Sequence, residues 1–177
     1  MFDINNSRDF YQKLLEDFDD YMEHQDSARH AMNCAITAHH LADWVWGDFS
    51  KDDDALKAKL EVKDIHDFRR WIDTQTVWYG VVQGLSNGSK HFIRKAAEGT
   101  HKIGGFGMGG FGQGPYGMSY LAIEVSDTDP KLLPVSLLLE VVIRFWRDFL
   151  KQHGPYDSLP KGKVTLMDEA LPAAPHP

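Results

Sequence analysis

The sequence predicts a mainly α-helical bundle with a small β-hairpin inserted before its last helix. Three observations carry this. Apolar residues recur at helical spacing through the first half of the chain. One segment, residues 27 to 49, is apolar nearly all round. A glycine-rich run, Gly104 to Gly117, lies between two short strand-like segments and ahead of one last strongly amphipathic stretch.

Taken in order, Phe10, Leu14, Phe18 and Tyr21 repeat at helical spacing, which predicts an amphipathic helix over about residues 7 to 25. Asp26 or Ser27 can cap the next helix. Between 27 and 49, Ala31, Ala35, Ala38, Leu41, Ala42, Val45 and Trp46 leave little polar surface, so this helix is expected at the centre. The charged stretch 51 to 63 reads as a short helix and linker. Helices follow over 64 to 72 and 75 to about 95, with a break near Asp73-Thr74. Residues 100 to 103 and 119 to 125 read as strands. The last helix spans about 136 to 152, presents Leu138, Val142, Phe145 and Phe149, and stops at Gly154-Pro155. One domain is expected over 1 to 154, followed by a proline-rich, loosely ordered tail over 155 to 177.

Composition narrows the function classes. The 177 residues are 42% hydrophobic and 25% charged, as in a globular protein with a real core. A single cysteine, Cys34, excludes an internal disulfide framework and fits a reducing cytoplasm; its neighbours mark it as a small buried hydrophobe. No secretory signal is visible, and Glu140 and Arg144 interrupt the most apolar stretch, so no membrane span is expected. A net charge of −7 argues against broad nonspecific nucleic-acid binding. The exception is local: Lys90, Arg94, Lys95 and Lys102 stand against the single acid Glu98 between Ser86 and Ile103, with His91 and His101 beside them.

Two polar sets interrupt apolar helices. Asn87-Gly88-Ser89-Lys90-His91 ends the tryptophan-bearing stretch that begins at Trp78. On a continued helix Asn87 and His91 share a face, four residues apart. The second set, His30, Asn33, Thr37, His40 and Trp44, occupies one arc of the central helix of roughly 80°. Buried polar groups must be paired, so a polar partner helix is expected, and the Asn87–His91 segment is the comparable cluster. The two sets together are either a hydrogen-bond network that fixes helix register or a polar cleft. In a cleft, His91 serves as acid/base, Lys90 stabilises charge on a phosphodiester, and Asn87 orients it.

The helix arrangement and the Asn-x-x-x-His of Asn87 and His91 resemble HEPN domains, small helical proteins of toxin–antitoxin pairs and antiphage defence. The resemblance covers about residues 27 to 95 and the last helix. Many members are metal-independent endoribonucleases that dimerise to pair two Arg-x4–6-His motifs, often beginning Arg-Asn. It implies a cytoplasmic homo-oligomer that acts on or binds RNA or a nucleotide, without a cofactor. Here Asn87 and His91 match the motif, while Ser86 stands where its arginine is expected. Lys90 or Arg94 is the candidate replacement, with His30, Asn33, Thr37 and His40 as the supporting wall.

Two alternatives accompany this reading. One is a non-catalytic oligomerising or partner-binding module, in which the polar cluster serves only structure. The other is a divalent-metal-binding bundle using His39, His40 and Asp43, spaced three and four apart, with His91 or His66 as a third ligand. The glycine-rich run lacks the ending of a phosphate loop. Phe106, Phe111 and Tyr116 within it suit a hairpin tip or contact with a base or a protein partner.

Overall fold

The computed structural model describes residues 3–76, 78–88, 100–103, 119–124 and 132–166. Six α-helices are present among them: α1 (Ser7–Glu23), α2 (Ala28–Asp48), α3 (Asp54–Leu60), α4 (Ile65–Gln75), α5 (Trp78–Gly88) and α6 (Val135–His153). A single 3-10 turn, Ser50–Asp52, precedes α3. Strands β1 (Thr100–Ile103), β2 (Tyr120–Glu124) and β3 (Leu132–Pro134) form one antiparallel sheet in that order. The expected helical bundle with a small sheet before its last helix is what the chain forms.

Side-chain oxygens start most of the helices. Asn6 accepts from Asp9 N–H, Ser27 from His30 N–H, Asp53 from Leu56 N–H, and Asp64 from both His66 and Asp67 N–H. Ser27 therefore caps α2, which frees the neighbouring Asp26 for a different task. The break between α4 and α5 falls at Thr76 rather than at 73–74, because the Thr76 backbone is extended and so ends the helix there. Asp73 instead accepts the Gly80 N–H at the start of α5.

Helix α2 is central. Its Cys34, Ala35, Ala38, Leu41, Ala42 and Val45 are fully buried. The alanines matter because they let large neighbours reach the α2 backbone. Trp146 of α6 donates its indole N–H to Ala38 O at 3.0 Å, and the Tyr79 hydroxyl of α5 donates to His39 O at 3.2 Å. Helix α1 runs antiparallel to α2: Phe10 stacks on Trp44, Lys13 and Asp17 meet Thr37, and Ser7 meets Asp48. Toward the far end, Trp46, Phe68, Trp71, Phe145 and Phe149 pack ring against ring, joining α2, α4 and α6.

The sheet sits at the α1–α2 turn. Leu121 N–H donates to Gln25 O, Ser119 Oγ donates to Asp26, and Lys102 Nζ lies 2.8 Å from the same carboxylate oxygen. Hydrogen bonds from Lys102 and Ser119 hold the Asp26 carboxyl below its ordinary range. Leu121, Ala122 and Ile123 are buried, so β2 is covered on both faces. The third strand has no sequence signature: it is three residues long, ends in a proline, and exposes half of Leu132.

The tail departs from expectation through Leu166. Asp19 accepts the backbone N–H groups of Lys163 and Val164, each at 2.8 Å, and Arg8 Nε donates to Ser158 O. Gly162 crosses Asp19 so closely that a Cβ there would lie 3.1 Å from its carboxylate. Tyr156 donates to Asp48, and Leu159, Val164 and Leu166 pack on the core. A polar segment next to two nearly desolvated side chains, Ser7 and Asp19, is thus a strap that satisfies them.

Candidate functional site

Helix α5 is built with one buried face. Tyr79, Val82 and Ser86 are fully buried, whereas Asn87, one position on, is exposed at the last turn. The position corresponding to the expected arginine thus belongs to the face that enters the core. An arginine at 86 would have to bury its guanidinium, which is costly without a paired anion. Any cation assisting Asn87 must come from elsewhere. Lys90, His91 and Arg94 lie outside the described residues, as do Phe106, Phe111 and Tyr116.

The second polar set divides rather than converging. Thr37, 2% exposed, donates to Asp17 at 2.5 Å and accepts from Lys13 at 2.8 Å; Lys13 and Asp17 are themselves 2.6 Å apart. That closed triangle faces α1, and Trp44 also packs on α1, through Phe10. The polar partner helix at Thr37 is therefore α1, not the end of α5. His30 is half-buried, accepts from Arg29 at 2.7 Å and lies 5.0 Å from the His24 ring. Asn33 is exposed. Among the described residues, no hydrogen bond joins Asn87 to His30, Asn33, Thr37 or His40.

His40 turns toward α4. Its Nδ1 lies 3.2 Å from Asp43 Oδ2, and Asp43 Oδ1 accepts from Arg69 Nη2 at 2.5 Å. His39, on the adjacent face, is buried, with its ring 5.2 Å from His40 and 5.7 Å from Tyr79. The alternative metal set is not assembled: His40 and Asp43 pair with each other while His39 points toward α5. Among the described residues no group of three His, Cys, Asp or Glu side chains is placed to hold a metal ion.

Cys34 is fully buried, and that burial raises its thiol well above the ordinary value, which suits a core residue rather than a nucleophile. Sequence reasoning overlooked Arg69. The available signal was a cation directly after Phe68 at the margin of the apolar face of α4, where its guanidinium can reach a neighbouring helix. It also treated Asp26 only as a cap, although this residue joins the sheet to the bundle.

No described helix is long and apolar enough to cross a membrane. The chain matches no protein-family model, no curated protein and no solved structure.

Proposed function

We propose that this chain is a HEPN-like protein that binds RNA or a nucleotide through the segment beginning at the end of α5. The observation that carries the reading is the position of Asn87: it is exposed at the last turn of a helix whose other face is buried. Directly beyond it the sequence holds Lys90, His91, Arg94 and Lys95, the local basic stretch of an otherwise acidic chain. In this reading Asn87 and Lys90 contact phosphate and His91 transfers a proton. Because Ser86 is interior, the cation comes from Lys90 or Arg94.

The test is binding and cleavage of a fluorescent single-stranded RNA in EDTA. Binding should weaken steeply with salt, since phosphate contacts release counterions. Lys90→Ala should weaken it further, and His91→Ala should stop cleavage while leaving the melting temperature near that of the parent. RNA binding that is absent at low salt would end the proposal.

The competing reading is a non-catalytic partner-binding module in a homo-oligomer. What favours it is that Thr37 and His40, half of the expected supporting wall, are paired with other residues, Thr37 with Asp17 and His40 with Asp43, and not with Asn87. It predicts that RNA neither binds nor is cut, and that Asn87→Ala alters self-association.

A further inference from the structure

In the pairing of His40, Asp43 and Arg69 an imidazole is oriented by a carboxylate that is itself fixed from another helix. Asp43 offers one oxygen to each partner, Oδ2 to His40 Nδ1 at 3.2 Å and Oδ1 to Arg69 Nη2 at 2.5 Å. The surroundings are packed. The His40 ring lies against His39, which lies against Tyr79, and the Tyr79 hydroxyl pins the α2 backbone at His39. The array is nonetheless open to solvent: the side chains of His40, Arg69 and Asp43 are 31%, 27% and 39% exposed.

We propose that His40 is a proton-transfer group for a phosphate-bearing ligand at the seam of α2 and α4, with Asp43 as its positioning residue and Arg69 as the group that contacts the phosphate. A carboxylate on Nδ1 fixes the tautomer, so Nε2 carries the lone pair of a partly exposed ring. With Nδ1–H committed to Asp43, Nε2 accepts a proton from a ligand hydroxyl and gives it back to a ligand oxygen, so that only O–H and N–H bonds break and form and no other reactant is needed. Arg69 spends Nη2 on Asp43, and its Nη1 has no partner among the described residues, so it can donate to a phosphate oxygen beside His40. The charged and titratable groups around the seam are Asp43 and His39 on α2, Arg69 and Asp73 on α4, and Tyr79 on α5.

This site shares no residue with the Asn87–His91 segment, so the two proposals can fail separately. The experiment is carbethoxylation of the whole protein by diethyl pyrocarbonate near neutral pH, followed residue by residue by mass spectrometry. His66, exposed at the start of α4, is the internal reference. His40 should react several-fold faster than His66, and millimolar inorganic phosphate should slow His40 but not His66. Asp43→Asn should bring His40 down to the reference rate, and Arg69→Gln should abolish the phosphate effect. Circular dichroism would establish that both variants keep the parent fold; if either does not, His40→Gln with phosphate titration by NMR replaces it. Equal rates at His40 and His66, or no phosphate effect in the parent, would overturn the proposal.

Discussion

The two sides of α2 use polar residues in opposite ways. Toward α1, Thr37 is buried within a closed set of partners, and Asp48, although exposed, accepts from three donors. Thr37 closes a triangle with Asp17 and Lys13, while Asp48 accepts from Ser7 N–H, Ser7 Oγ and Tyr156. Toward α4, His40, Asp43 and Arg69 are linked in a chain whose ends face solvent. Satisfied, buried polar groups specify how helices meet; open, oriented ones remain free to meet something else. A polar residue on an apolar helix is therefore no guide to function until the helix it faces is known.

Substitutions on the two sides should separate accordingly. The largest effect is expected at Trp146, which fills the space beside Ala38 and donates to its carbonyl. Trp146→Ala should cost about 3–5 kcal/mol in denaturant unfolding, because cavity formation adds to lost burial. On the α1 side, Thr37→Val should cost about 1–3 kcal/mol, since it leaves Asp17 and Lys13 short of a buried partner. On the α4 side, Arg69→Gln should cost less than about 1 kcal/mol, because the pair is partly exposed and screened. Equal losses at Thr37 and Arg69 would erase the distinction.

The smallest effects are expected from pH. Burial pushes the Asp48 carboxyl up, but hydrogen bonds from Tyr156 and Ser7 outweigh it and hold the group below its ordinary value of 3.8. Its contribution is therefore present above 3.8 and is lost as pH falls through the lower folded value. Tyr156→Phe should diminish that acid sensitivity. His153 is lowered from 6.5, first by burial and then by Lys59. A depressed histidine favours the folded state when neutral, so stability should decline as pH falls below 6.5, and His153→Gln should flatten that decline.

Much of the fold was legible because hydrophobic spacing records which faces are buried. The spacing placed α1, α2 and α6 within two residues at each end and matched the bounds of β1. It missed β3 because three residues carry no period. It misjudged the tail because backbone amides, not side chains, tie Lys163 and Val164 to Asp19. The candidate site was less legible. A helical wheel puts His30, Asn33, Thr37, His40 and Trp44 in one arc, but an arc that runs along about four turns meets solvent, α1 and the approach of α4 at different heights. Arg69, the residue that gives His40 and Asp43 their geometry, lies on a different helix. The wheel of α2 therefore has no place for it.

The most direct test pairs RNA affinity with thermal stability in two variants, Asn87→Ala and Thr37→Val. Asn87→Ala should weaken RNA binding at low salt and leave the melting temperature unchanged; Thr37→Val should lower the melting temperature and leave RNA affinity unchanged. The opposite pattern, or RNA binding indifferent to Asn87, would contradict the structural role of the α1 side of α2 and the proposed ligand contact at the end of α5.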